Sequence, residues 1–162
     1  MMEYTIRKME KKDINQVQEV ARTSWNTTYE GIIPLEIQES FLTSAYSDEM
    51  MLKRLEVSSL YVAEKNGKIV GFANFSPVKE EGEVELGAIY LYKEYQGEGI
   101  GTALLQEGIK ELNGARSVYI SVEKENETGT SFYRAKGFTV VSEFEDDLEG
   151  HITKMYRMVL SL

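Results

Sequence analysis

The chain has 162 residues, 42% of them apolar and 28% charged, the proportions of an ordinary globular protein long enough to bury a core without metal or disulfide staples. It has no cysteine and a single histidine, His151, which excludes disulfides, thiolate metal sites, cysteine nucleophiles and multi-histidine metal clusters. The formal net charge is −9, from 27 acids and 18 bases, a balance that repels nucleic acid and anionic membranes and favours cationic partners.

Tyr4–Lys8 reads as a short first strand. Asp13 then reads as a helix N-cap, with Gln16 as its reciprocal partner. Ile14, Val17, Val20, Ala21 and Trp25 recur at helical spacing, which predicts a helix from about Asp13 to Thr27. Gly31 and Pro34 break it, and Pro34 opens a second helix carrying Leu35, Ile37, Phe41 and Leu42. Ser47 caps a further turn over Asp48–Glu56. The pair Asn66-Gly67 between two β-rich runs signals a hairpin of Leu60–Lys65 with Lys68–Ser76. Glu83–Tyr92 alternates as a third member of this meander. A helix over Thr102–Leu112, a strand over Ser117–Val122 and a short helix over Thr128–Lys136 follow, the last ended by Gly137. Phe138–Phe144 and Ile152–Leu160 read as two final strands joined by an acidic loop, Glu145–Gly150. The order is β-α-α-β-β-β-α-β-α-β-β, an α/β (α+β) mixed sheet in a single domain over residues 1–162. No apolar run approaches the roughly 18 residues of a membrane helix, and a cytoplasmic protein is the expectation.

Gln96-Gly97-Glu98-Gly99-Ile100-Gly101 lies where a strand ends and a helix begins. Glycines there let backbone N–H groups converge, and the helix N-terminus adds about half a positive charge, so the segment suits phosphate or pyrophosphate. A plain glycine turn into a helix is the competing reading. A P-loop fits poorly, because Gly101-Thr102 lacks the lysine. A dinucleotide fingerprint also fits poorly, because Thr102 stands where its third glycine belongs and the loop follows an antiparallel meander.

Gln96-x-x-Gly99-x-Gly101 after Ile89-Tyr90-Leu91, with Leu104-Leu105 next, resembles the acetyl-CoA loop of the GNAT N-acetyltransferase superfamily. Asn126 followed by Phe132-Tyr133-Arg134-Ala135-Lys136-Gly137-Phe138 resembles that family's second motif. The resemblance spans about the whole chain and implies a GNAT-like fold in which two central parallel strands, Glu83–Tyr92 and Ser117–Val122, splay apart. It implies acetyl-CoA as co-substrate and no metal. Ile89, Tyr90 and Leu91 would face the thioester and pantetheine. Gln96, Gly97, Glu98, Gly99, Ile100, Gly101 and Thr102 would cradle the pyrophosphate, and Asn126 would hold the pantetheine arm. Glu98 departs from many relatives, and the expectation is that its carboxylate points to solvent.

The resemblance also implies direct transfer to an amine in a ternary complex. Glu85 is then the candidate general base, on the face of Gly87 and Ile89 unless a bulge at Gly87 intervenes. A solvent-facing strand acid is the competing reading. Tyr133 is the candidate general acid for the leaving thiolate. Arg134 and Lys136 are candidates for the 3′-phosphate. The first two helices of such proteins line the acceptor pocket, here Trp25, Tyr29 and Glu30; two aromatics four apart with a carboxylate suit an alkylammonium. Trp25 continues the apolar stripe and reads first as core packing, which makes Tyr29 the better pocket candidate. The acidic balance points to a cationic small-molecule amine such as a polyamine. A protein N-terminal or lysine acetyltransferase, a non-catalytic CoA-binding regulator and an unrelated nucleotide-binding module are the other readings. The last strands, ending in Met155–Leu160, are also candidates for pairing with a second subunit in a homodimer, and an internal core satisfies their alternation equally well.

Overall fold

The computed structural model describes residues 3–162. Its elements in chain order are β1 (Thr5–Lys8), α1 (Ile14–Thr28), α2 (Leu35–Ala45), α3 (Asp48–Val57), β2 (Ser59–Lys65), β3 (Lys68–Phe75), β4 (Glu83–Leu91), α4 (Ile100–Glu111), β5 (Ser117–Glu123), α5 (Glu127–Ala135), β6 (Thr139–Leu148) and β7 (His151–Ser161). The seven strands form one mixed sheet in the order β1-β2-β3-β4-β5-β7-β6. The element order is the one expected from the sequence, save that the further turn over Asp48–Glu56 is a full helix, α3, so that three helices rather than two stand between β1 and β2. No helix among the described residues is long and apolar enough to cross a membrane.

Local chemistry sets most boundaries. Asn66 (φ 53°) and Gly67 (φ 77°) both take the left-handed conformation that a two-residue hairpin turn requires. The Ser47 hydroxyl accepts the Met50 N–H at 3.1 Å and starts α3. Two expectations are corrected. Asp13 does not cap α1 through its side chain; its carboxylate accepts the Arg7 guanidinium at 2.7 and 3.0 Å and the Glu10 N–H at 2.8 Å. Gln16 instead accepts the Ile69 N–H at 2.9 Å. A buried carboxylate within reach of a guanidinium takes the charge-assisted bonds first. The acidic stretch Glu145–Asp147 is also not a loop. It continues β6, and only Glu149 (φ 49°) and Gly150 (φ 92°) turn the chain into β7.

The helices cover both faces of the first half of the sheet. Tyr46 at the end of α2 packs on Phe72, and Arg54 of α3 donates to the Asn74 side chain at 2.7 Å, so α1–α3 cover the face that carries Phe72 and Asn74. Phe75 points to the opposite face, where α4 presses on it so closely that a Cβ on Gly108 would stand 2.1 Å from its ring. Phe72, Phe75, Ile100 and Leu104 are fully buried.

The centre of the sheet is where it opens. β4 and β5 pair in parallel over three positions, Glu83↔Ser117, Val84↔Val118 and Glu85↔Tyr119. Beyond them β4 stays with β3 up to Leu91, and β5 stays with β7 up to Glu123. A bulge sits at Gly87, since Phe75 faces Leu86 while Asn74 faces Ala88. β7 has β5 on one edge and β6 on the other. Both its backbone edges are therefore used within the chain, which leaves β6 as the edge strand on that side of the sheet.

Candidate active site

The splay between β4 and β5 holds a cavity of about 450 Å³. Gly87–Leu91 line it from one strand and Ile120–Glu123 from the other. Backbone groups in this gap have no partner strand, and buried amides and carbonyls require one. At one end the cavity meets Gln96, Gly97, Gly99, Gly101 and Thr102. Gly97 (φ 83°) and Gly99 (φ 85°) turn the loop through conformations that disfavour any other residue, and the first turn of α4 carries no acid. The result is a glycine cradle on a free helix N-terminus, a receptor for an anion such as pyrophosphate.

Glu98 and Ile100 do not line the cavity. The Glu98 carboxylate pairs with Lys65 at the end of β2 at 3.4 Å rather than pointing to solvent. Lys65 also lies over the Tyr95 ring. This pairing offsets the negative charge beside the anion site. Ile100 is wholly buried in the core, so only its backbone is available to the loop. Asn126 lines the cavity, and its Oδ1 accepts the Gly129 N–H at 2.9 Å, capping α5 and leaving its amide nitrogen for a ligand. Lys136 is the cation on the cavity wall, whereas Arg134 lies over the Tyr156 ring outside it.

At the other end stand Tyr29, Tyr90, Tyr133 and Glu123. Tyr133 is held by Phe132 and Phe138 on either side. Burial, reinforced by the nearby Glu123 charge, pushes its hydroxyl well above its ordinary range, so it stays protonated at neutral pH. The Tyr29 and Tyr90 hydroxyls are 3.4 Å apart. Burial raises both. Tyr29 is fixed through its carbonyl, which accepts from the buried Gln38 side chain at 3.3 Å, while the same amide nitrogen donates to the Ile33 carbonyl at 2.8 Å. The β6–β7 hairpin tip is tied to the α1–α2 connection and to α2. The His151 ring nitrogen bonds the Ile32 carbonyl at 3.0 Å, and the Ser40 hydroxyl donates to Glu149 at 2.5 Å.

Among the expected acceptor residues, Tyr29 lines the cavity and the other two do not. Trp25 stacks on Phe41, with centroids 4.5 Å apart, and meets Tyr29 edge-on; it is a core residue that positions Tyr29. Glu30 is exposed on the turn after α1. Glu85 is also off the cavity wall. Both its oxygens take Arg157 Nη atoms at 2.6 and 2.7 Å, and Arg157 lies over the Tyr119 ring. Because of the bulge, Glu85 and Ile89 no longer follow one alternation.

Glu123 is the carboxylate that the motif reading passed over. It projects on the β5 face opposite Val118, Ile120 and Val122, the three residues whose alternation marks the buried side. Burial raises its pKa, opposed by its own backbone N–H and by the Tyr29 hydroxyl, while Asp146 on β6 adds to the rise. The signal was Glu123 itself, third in the Tyr119-Ser121-Glu123 series and close before Asn126.

Comparison with known proteins agrees with this geometry. The model of the acetyltransferase (GNAT) family matches residues 15–138. The chain is 34% identical over 152 residues to the uncharacterized N-acetyltransferase YuaI of Bacillus subtilis, covering 90% of this chain and 86% of the relative. It is 33% identical over 147 residues to a spermidine N(1)-acetyltransferase of Thermoplasma acidophilum, covering 86% and 90%. The crystal structure of PaiA N-acetyltransferase from Thermoplasma acidophilum, in complex with coenzyme A, superposes with a TM-score of 0.87 at 30% identity over 99% of this chain and 100% of that one. The splayed strands and the glycine cradle fit acetyl-CoA, with the backbones of Gly87–Leu91 and Ile120–Glu123 available to its arm and the α4 N-terminus to its pyrophosphate.

Proposed function

Because the chain belongs to the acetyltransferase (GNAT) family and is an acetyl-CoA-dependent N-acetyltransferase, we propose that its acceptor is a small polycationic amine, with a polyamine as the best fit. The observation that carries this reading is the far end of the cavity. Three tyrosines and one carboxylate, Glu123, meet there, with Asp146 close enough to act on Glu123 through its charge. Aromatic faces and carboxylates together favour an alkylammonium, and a second carboxylate suits a molecule with more than one. The net charge of −9 draws such molecules in. The spermidine acetyltransferase among the relatives supports the same class.

Acetyl-CoA supplies the activated acyl group. The ammonium first loses a proton, and the neutral nitrogen then attacks the thioester carbon. A C–N bond forms as the C–S bond breaks, and a further proton leaves the nitrogen. Tyr133, kept protonated by burial, gives its proton to the departing thiolate and recovers one from solvent. The sum is one acetylated amine, one CoA thiol and one released proton. Direct attack suits a cavity open to both partners and a chain without cysteine.

The test is thiol release from acetyl-CoA with spermidine, spermine, putrescine, an unblocked peptide and a lysine peptide in parallel. Polyamines should give the highest kcat/KM, and Tyr133→Phe should lower kcat about ten- to a hundredfold with CoA affinity retained. Preference for a peptide would replace the polyamine with a protein acceptor. No thiol release with any amine, alongside tight CoA binding, would make the chain a CoA-binding regulator.

A further inference from the structure

We propose that Glu123, rather than Glu85, takes the proton from the incoming ammonium. This rests on the acceptor being an amine, though not on its being a polyamine. Glu123 is the carboxylate on the cavity wall among the described residues, and it makes no ion pair there. It stands on β5 at the open end of the splay, near both Tyr29 and Tyr133. A reacting nitrogen at this end of the cavity lies beside the carboxylate and the strand gap alike. Glu85 differs in each respect, since Arg157 holds both its oxygens and also donates to the Ser121 hydroxyl at 3.0 Å. A carboxylate with both oxygens held by a guanidinium has neither free to receive an ammonium proton.

The surroundings of Glu123 suit the task. Tyr29 faces it from the end of α1, Tyr90 lies behind Tyr29 on β4, Tyr133 faces it from α5, and Asp146 lies across on β6. Its register partner on β7 is the apolar Met155. The following residue on β5, Lys124, is engaged with Glu143 and Tyr156. Among the described residues no salt bridge holds the carboxylate, and burial raises its pKa, which strengthens it as a base.

In the proposed step the N–H bond of the ammonium breaks, its electron pair stays on nitrogen, and the proton passes to a Glu123 oxygen. The neutral nitrogen attacks as above, and Glu123 returns its proton to solvent after the acetylated amine leaves. Tyr29 is a positioning residue, orienting the carboxylate through its hydroxyl.

The experiment measures kcat/KM against pH for wild type, Glu123→Gln, Glu123→Asp and Glu85→Gln, with any primary amine the wild type acetylates, and CoA affinity by calorimetry as a check on folding. Glu123→Gln should lose about a hundredfold near neutrality. Its deficit should shrink as pH rises toward the amine's own pKa, where free amine no longer needs a base. Glu123→Asp should keep the acidic limb at a reduced rate, and Glu85→Gln should keep it as well. A wild-type acidic limb in Glu123→Gln, or its loss in Glu85→Gln, overturns the assignment. Failure with polyamines but turnover of another amine changes the acceptor and leaves Glu123 standing. A wild type that acetylates no amine overturns both.

Discussion

Asp13 and Glu123 are both carboxylates drawn into the protein, and their neighbours push them in opposite directions. Arg7 hydrogen-bonds Asp13 and holds its pKa below the usual range against the cost of burial, with the Glu10 amide assisting. Such a group stabilises the fold above the unfolded carboxylate pKa of about 4, and that stability is lost as pH falls through the lowered folded value. Asp13→Asn keeps the shape and removes the charge, leaving a partly buried guanidinium without its main partner. At pH 7 it should cost roughly 2–3 kcal/mol in urea unfolding. The difference from wild type should shrink as the pH drops below about 4, and a constant difference across that range would show that the ion pair is not its source. Asp13 was legible as a helix-start residue, whereas its partner was not, because Arg7 lies across a turn whose geometry no local pattern specifies. The same limit hid Glu123. Motif matching points to residues a family shares, and a cavity carboxylate placed by strand alternation needs the pairing of β5 with β7 to reveal which face is open.

Elements were read best where one local interaction decides them. Asn66-Gly67 and Gly137 place a turn and a helix end without help from distant residues. The acidic hairpin arm failed for the opposite reason. Its charges look like a loop, yet β6 pairs along its length with β7, and the backbone ladder outweighs the low strand propensity of Glu and Asp. The bulge at Gly87 was only one of two possibilities until β3 was seen to pair across it, and it separates Glu85 from the face of Ile89. Helix α4 is fixed by contact rather than propensity. Gly108 lies against the buried ring of Phe75, with an added Cβ only 2.1 Å from it. Gly108→Ala gains helix propensity of up to about 1 kcal/mol, but overpacking typically costs 1–3 kcal/mol, here at the upper end because the ring has nowhere to go. The net expectation is a lower urea midpoint, by about 1–2 kcal/mol, with much of it recovered in Gly108→Ala/Phe75→Leu. Additive effects of the two substitutions would mean that the helix is not seated on that ring.

At the scale of the whole molecule, the sheet is two half-sheets joined by three parallel pairs. The first half, β1–β4, is packed on both faces by helices. The second half leaves Tyr119, Ser121 and Arg157 accessible on one face and has an exposed strand, β6, at its edge. A ligand in the gap supplies the missing strand, so it joins the halves as well as binding to them. Acetyl-CoA at about a hundred times its Kd adds roughly 2.7 kcal/mol to stability, which for a chain of this length raises Tm by about 5–10 °C. Simple linkage predicts that shift for any ligand of the native state. The bridging geometry predicts where the protection falls. Amide exchange should slow at the Gly87–Leu91 and Ile120–Glu123 positions that face the gap, and at the start of α4, while β1 and the β6 edge change little. Pyrophosphate alone should protect the start of α4 and leave the strands as they were. Equal protection of the strands by pyrophosphate, or a Tm shift with no slowing in the gap, would mean that the halves are not joined through the ligand's arm.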